Sequence, residues 1–129
     1  MLIDSADVFL GWEDVESVLG QPGLGFMPLV EEESLRLICD ISSFSPLMES
    51  CRTLRTNLRF AAEQPIRSLA VTSSVPAEGK STTAANLAMA MAMSMDRNRI
   101  ILVDADLRRP AQHKLFKVDS SPGLVDILL

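Results

Sequence analysis

A glycine, a lysine and two hydroxyl side chains occupy consecutive positions from Gly79 to Thr82. Two carboxylates, Asp104 and Asp106, follow further along the chain, directly after an apolar run. A glycine lets the backbone approach a bulky anion, a lysine can reach the anion's oxygen atoms, and a hydroxyl beside carboxylates can hold Mg²⁺. The residue types and their spacing therefore indicate a site for a phosphate-bearing ligand with a metal ion.

Such a site needs regular elements that hold the loop. An apolar run at Leu69–Val71 enters a loop, and Ser81–Met95 is a long uncharged stretch typical of a helix. A second apolar run, Ile100–Val103, ends on Asp104. We therefore predict a β-α-β unit in an α/β fold, a P-loop NTPase-like parallel sheet with flanking helices. The loop template is G-x-x-x-x-G-K-[ST], and Ser74 stands at its first glycine position.

Each residue of the predicted site has a physical task. Lys80 would reach the β- and γ-phosphates, Ser81 would offer its hydroxyl to Mg²⁺, and Thr82 could bond a phosphate oxygen. Of the two aspartates, one could hold the metal shell while the other orients or deprotonates a hydroxyl. An alternative stays open, in which both acids only cap the turn before Pro110. The predicted ligand-contacting set is Ala77, Glu78, Gly79, Lys80, Ser81 and Thr82, the metal set is Ser81, Asp104 and Asp106, and the catalytic set is Lys80, Asp104 and Asp106.

A well-patterned helix is predicted over Pro46–Ala62, with Ser45 as its N-cap. Apolar residues recur at spacings of four and three along one side, and Glu49, Arg52, Arg55 and Arg59 share the opposite side. Two interpretations of this charged side stay open. It is a solvated face on which Glu49 pairs with Arg52, or its arginines engage the carboxylates of a neighbouring subunit.

The first 45 residues form a separate segment in this interpretation, followed by the main domain over 46–129. Within residues 11–30 we predict a short helix capped by Gly20. A strand, Leu24–Val30, is predicted to follow it, and Pro28 would confine that strand to the edge of a sheet. Short helices are also predicted at Pro110–Phe116 and Leu124–Leu129.

Composition narrows the functional classes. Residues 1–48 carry nine acidic groups and a single arginine, and the remainder carries eleven basic against eight acidic groups. So small a positive excess argues against a nucleic-acid binder. No signal pattern or membrane-spanning stretch is present, and Cys39 and Cys51 fit reduced thiols, so we expect a cytoplasmic chain. The sequence contains no tyrosine.

Four stretches resemble the bacterial tyrosine kinases, or BY-kinases, the kinase domains of polysaccharide co-polymerases. Thr72–Ser81 resembles their Walker A motif, and Ile101–Arg108 is similar to their Walker A′ motif, D-x-D-x-R after apolar residues. Glu49–Arg55 matches their oligomerisation motif E-x-x-R-x-x-R, and Glu13–Pro28 resembles the segment that precedes the kinase domain. The resemblance covers the N-terminal part of such a kinase and stops before the Walker B strand.

The resemblance implies an ATP- and Mg²⁺-dependent autokinase that modifies tyrosines on neighbouring subunits and regulates exopolysaccharide synthesis and export. It implies a ring assembled through Glu49, Arg52 and Arg55, and a membrane co-polymerase module at the inner face of the plasma membrane. Two alternatives remain: an ATPase of the septum-site or partition type, whose signature lysine is replaced here by Val75, and a truncated, non-catalytic module of a kinase ring. Ala77 stands where the family has glycine, which is tolerable if its backbone angles are ordinary. Lacking tyrosine, this chain cannot autophosphorylate on tyrosine, and we expect it to be incomplete and inactive alone.

Overall fold

A computed structural model describes residues 12–28, 37, 45–94 and 99–129. Within these ranges the chain forms helices joined by irregular segments. The helices, in chain order, are α1 (Trp12–Leu19), α2 (Pro46–Ala61), α3 (Lys80–Ala92), α4 (Gln112–Phe116) and α5 (Leu124–Leu128).

Helix α2 follows its sequence signals closely. Ser45 has an extended backbone conformation, and its hydroxyl accepts a hydrogen bond from the Met48 backbone N–H at 3.3 Å. Pro46 occupies the first turn, where no intrahelical donor is needed. The predicted apolar stripe turns inward, with Leu47, Met48, Cys51 and Leu58 buried. The predicted helix and its N-cap are therefore confirmed, ending one residue earlier than expected.

The core lies where α2 packs against α3. Leu47, Met48 and Cys51 of α2 contact Ala90 of α3, and Met27 and Met89 pack on the margin. The small side chain of Ala90, which is 2% exposed, lets the two helices approach closely. The thiol of Cys51 is free, and burial raises its pKa.

Two polar side chains of α2 fasten neighbouring segments to this core. Arg55 donates from Nη1 to the carbonyl oxygen of Ala90 at 2.8 Å, close to the C-terminal end of α3. Asn57 donates from Nδ2 to the carbonyl oxygen of Leu24, also at 2.8 Å. A cation suits the negative end of a helix, so Arg55 both links the helices and complements α3.

Helix α1 ends as predicted, at a glycine in the left-handed conformation. Gly20 has φ +64°, and its N–H donates to the Glu16 carbonyl oxygen at 2.8 Å. The predicted edge strand after it is wrong for residues 24–28, which are irregular, while residues 29 and 30 lie outside the described ranges.

The predicted parallel sheet is also wrong, because the described residues contain no β-strand. The apolar runs at 69–71 and 100–103 are both described, and both lack regular secondary structure. A strand requires a hydrogen-bonded neighbour, and a central strand also requires helices over both faces. Here the apolar side chains are open to solvent instead: Leu69 is 46% exposed and Ile101 is 86% exposed.

The remaining predictions about organisation have mixed outcomes. Helices α4 and α5 lie inside the predicted ranges, each shorter than expected. No helix in the described part is long and apolar enough to cross a membrane. Cys39 and the predicted turn at 96–98 lie outside the described residues, and the division at residue 45 stays a prediction.

Candidate functional site

The loop before α3 is held closed by one of its own carboxylates. Glu78 accepts hydrogen bonds from the backbone N–H of Val75 at 3.1 Å and from the hydroxyl of Ser74 at 3.2 Å. The bond from the Val75 N–H is the main reason that the pKa of Glu78 lies below its ordinary value. The Glu78 side chain therefore maintains the shape of the loop in this structure.

Two residues of this loop have left-handed backbones. Gly79 has φ +81°, which glycine adopts without strain, and Ala77 has φ +67°. The backbone angles of Ala77 are therefore not ordinary. Alanine in place of the family's glycine was expected to be tolerable only with ordinary angles, and that condition is not met. A Cβ in this region costs about 1 kcal/mol or more, so the loop carries strain at Ala77.

Helix α3 begins with its amide groups free of any side-chain cap. Gly79 is the N-cap residue, which has no side chain to offer, and its carbonyl oxygen accepts the N–H of Thr83 at 2.8 Å. The first amides of a helix have no intrahelical acceptor and form the positive end of its dipole. This helix start, lying directly after a glycine-containing loop, is suited to receive an anion.

Lys80 and Asp106, distant in sequence, form an ion pair in the structure. The Lys80 ammonium lies 3.1 Å from Oδ2 of Asp106, with about a third of each side chain exposed. The other oxygen, Oδ1, accepts the Arg109 backbone N–H at 3.0 Å. The pKa of Asp106 lies below its ordinary value, mainly because of the hydrogen bond from the Arg109 backbone N–H and secondly because of the bond from Lys80.

Asp104 is engaged entirely with backbone donors. Its Oδ1 accepts the N–H of Asp106 at 3.1 Å, and its Oδ2 accepts those of Ala111 at 2.8 Å and Gln112 at 3.0 Å. Burial raises the pKa of this carboxyl, but the three N–H donors outweigh burial and hold the pKa below its ordinary value. Asp104 thus fixes the start of α4. This contact agrees, for Asp104, with the alternative in which the two aspartates only cap the turn around Pro110.

Gln112 completes the connections and was missed by the sequence predictions. Its Nε2 donates to the carbonyl oxygen of Ser81 at 3.0 Å, which joins α4 to the first turn of α3. A single glutamine in a five-residue helix belongs to no sequence motif, so only the folded structure reveals this contact.

The predicted site residues therefore come together in part. Lys80 contacts Asp106 directly, and Ser81 is joined to Asp104 through Gln112. Within the described ranges, no group of three or more histidine, cysteine, aspartate or glutamate side chains is placed so that it could hold a metal ion. A metal ion at this position would therefore depend on the Ser81 hydroxyl, phosphate oxygens and water beside the two aspartates.

The predicted oligomerisation residues lie on α2, away from this loop. Arg52 approaches Glu49 at 3.6 Å on the surface, as the solvated-face interpretation predicted. Arg55 is occupied with the carbonyl oxygen of Ala90. These arginines and Arg59 line a cleft of about 350 Å³ between α2 and the end of α3.

The sequence of this chain is similar to those of bacterial tyrosine-protein kinases. The chain is 45% identical over 82 residues to the tyrosine-protein kinase YwqD of Bacillus subtilis, which covers 63% of this chain and 34% of that protein. It is 35% identical to the putative tyrosine-protein kinase CapB of Staphylococcus aureus, covering 66% and 37%, respectively. It is 34% identical over 101 residues to the tyrosine-protein kinase ptk of Acinetobacter johnsonii, covering 78% and 14%. No family model matches the chain.

A solved structure supports the same relationship. The crystal structure of the chimerical protein CapA2B2 superposes with a TM-score of 0.79 at 39% identity, covering 92% of this chain and 50% of that one. The chain is thus homologous to bacterial tyrosine-protein kinases, which confirms the resemblance drawn from the motifs. It spans about a third of the length of YwqD and CapB.

Proposed function

We propose that this chain provides the ATP- and Mg²⁺-binding part of a bacterial protein-tyrosine kinase. The observation that carries the proposal is the Lys80–Asp106 pair at the uncapped start of α3. A mobile ammonium next to free helix amides is the arrangement that stabilises phosphate oxygens. The kinase names of the homologues support the same activity.

The residues present fit this ligand. Lys80 would exchange its partner Asp106 for a phosphate oxygen or contact both, and the amides of the first turn of α3 would face the phosphate charge. Ser81, Asp104 and Asp106 would hold the metal shell, and Ala77–Thr82 would surround the phosphates. When bound, Mg²⁺ neutralises phosphate charge during phosphoryl transfer. Asp104 is best suited to act through water, because both of its oxygens already accept backbone bonds.

The tyrosine that receives the phosphoryl group must lie outside these 129 residues, because the sequence contains none. The proposal therefore has this chain acting with further kinase sequence or with neighbouring subunits. By resemblance, it includes regulation of exopolysaccharide synthesis and export. It also includes a membrane polysaccharide co-polymerase module as a partner, with the kinase at the cytoplasmic face of the membrane.

Titration calorimetry with Mg-ATP tests the nucleotide site. Lys80→Ala removes the ammonium, and we expect it to weaken binding by about tenfold or more, the scale of a charge-assisted hydrogen bond. Lys114→Ala is the matched control, since it removes the same charge from an exposed position on α4 and should leave binding unchanged. Equal affinities for the unaltered chain and Lys80→Ala would contradict the proposed site.

Ring assembly through Glu49, Arg52 and Arg55 is part of the same proposal. Arg52 is the clean probe, because its side chain is 45% exposed and its pairing with Glu49 is long. Arg55→Ala would also loosen α3 through the lost bond to Ala90. Sedimentation of a mixture with a full-length homologous kinase should show co-assembly that Arg52→Glu abolishes. Unchanged co-assembly with Arg52→Glu would refute this part of the proposal.

A further inference from the structure

The ion pair between Lys80 and Asp106 has one mobile partner and one fixed partner. The Asp106 carboxylate is held at its other oxygen, because Oδ1 accepts the Arg109 backbone N–H at 3.0 Å. The backbone of Asp106 is held as well, because its N–H donates to Oδ1 of Asp104 at 3.1 Å. The Lys80 ammonium, by contrast, ends a flexible aliphatic stem. When the pair separates, it is therefore the lysine that moves, and the negative charge of Asp106 stays in place.

The ammonium of Lys80 is also the cation that is proposed to bind phosphate oxygens. A lysine ammonium is a compact point charge, so a carboxylate at 3.1 Å and an incoming phosphate draw on the same charge. Only 33% of the Lys80 side chain and 27% of the Asp106 side chain are exposed, so water screens the pair only in part. A phosphate that approaches Lys80 must displace the carboxylate or lie next to it, and like charges at that separation repel each other.

The other two carboxylates near this loop are engaged elsewhere. Glu78 accepts hydrogen bonds from the Val75 N–H and the Ser74 hydroxyl. Asp104 accepts backbone N–H groups at both of its oxygens. Among the described residues, Asp106 is thus the carboxylate that the fold holds against the ammonium of Lys80.

We propose that Asp106 is an internal competitor for Lys80 and that it disfavours nucleotide arriving without a cation. This inference rests on the proposed nucleotide site and adds to it a preference for the metal-bound nucleotide. Without a cation, phosphate must take the ammonium from the carboxylate and lie near a fixed negative charge. When Asp106 instead faces the cation of a metal–nucleotide complex, Lys80 is released for the phosphate. The ion pair is therefore the ligand-free state of the site.

The test measures ADP affinity in the 129-residue chain by titration calorimetry in a chelator, which removes the cation. Asp106→Asn removes the charge, while its amide oxygen can still accept the Arg109 N–H. We expect this variant to raise ADP affinity in chelator about fivefold, the scale of a partly exposed ion pair. If Asp106 served only as a metal ligand, ADP affinity in chelator would not rise. Asp119→Asn is the matched control, since it removes the same charge from an exposed position and should change ADP affinity less than about twofold.

Two further variants separate competition for the lysine from simple repulsion. Asp106→Ser also lacks the charge, and its hydroxyl can accept the Arg109 N–H, so it should show the same rise. In the Lys80→Ala background, Asp106→Asn should raise ADP affinity less than about twofold, because no ammonium remains to be released. Circular dichroism confirms that each variant keeps its helix content.

The outcomes that contradict the inference differ from those that contradict the nucleotide site. Unchanged or lower ADP affinity in chelator for Asp106→Asn and Asp106→Ser would overturn the inference. A fivefold rise from Asp106→Asn both with and without Lys80 would also overturn it, because the carboxylate would then act by repulsion alone. Failure of the unaltered chain to bind ADP either in chelator or with Mg²⁺ would instead refute the proposed nucleotide site, and this inference with it.

Discussion

Ala77 occupies a backbone conformation that alanine disfavours, and a single glycine substitution reports the cost. Its φ of +67° brings Cβ close to the carbonyl oxygen that follows. This crowding costs roughly 1–2 kcal/mol, whereas glycine adopts the same angles freely. Glycine also gains freedom in the unfolded chain, which offsets about 0.4–1 kcal/mol of the benefit. Ala77→Gly should therefore stabilise the fold by about 0.5–1 kcal/mol.

The assay is thermal unfolding followed by circular dichroism. For a chain of this size, a gain of that order raises the midpoint by roughly 2–4 °C. Ala70→Gly is the matched control, because Ala70 is also exposed, lies in an irregular segment and is not among the residues with positive φ. It should lower stability by about 0.4–1 kcal/mol through the unfolded state alone.

The two alanine variants should thus shift the midpoint in opposite directions. If Ala77→Gly lowers the midpoint as much as Ala70→Gly does, the left-handed conformation of the loop is refuted. The same variant should leave the hydrogen bonds of Glu78 intact, because Glu78 contacts Ser74 and Val75 rather than the side chain of Ala77.

Three further substitutions test the contacts that hold the elements together. Ser45→Ala removes the N-cap of α2 and should cost about 1 kcal/mol in chemical denaturation, while Ser68→Ala at an exposed site should cost almost nothing. Arg55→Ala removes a charged donor at the end of α3 and should cost about 1–2 kcal/mol, whereas Arg52→Ala, in a surface pair, should cost at most about 0.5 kcal/mol. The pKa of Asp104 is lower in the folded chain than in the unfolded chain. The ionised carboxylate therefore stabilises the fold fully above the ordinary aspartate pKa, and this stabilisation is lost as pH falls through the pKa of the folded chain. Asp104→Asn should therefore make the thermal midpoint less sensitive to pH between about pH 5 and pH 3, and an unchanged pH profile would contradict the backbone contacts given to Asp104.

The sequence was most informative where several local signals agreed. Helix α2 combines a serine cap, a proline in the first turn and a regular apolar stripe, and its bounds were predicted within one residue. Gly20 likewise stands at the end of α1 in the left-handed conformation expected of a C-terminal cap. Such signals act between neighbouring residues, so they can be recognised before the fold is known.

Predictions that depended on distant partners were less successful. The apolar runs at 69–71 and 100–103 have the composition of buried strands, but strand formation depends on pairing that composition does not specify. The residues proposed to bind phosphate could be picked out from the sequence because they are contiguous. The contacts of Glu78 with Val75, Asp104 with Ala111, and Gln112 with Ser81 depend on the folded loop conformation, which no motif encodes.

The central proposal is that nucleotide phosphates bind at the start of α3, and amide chemical shifts in the ¹⁵N-labelled chain test it most directly. On addition of Mg-ATP, we expect the largest chemical-shift changes at the Glu78–Thr83 amides and smaller changes at the Asp104–Asp106 amides. The Lys80→Ala variant should not show these changes. Changes confined to the arginine-lined cleft at Arg52–Arg59 would contradict the proposal, because they would show that the ligand is attracted to surface charge rather than to the loop.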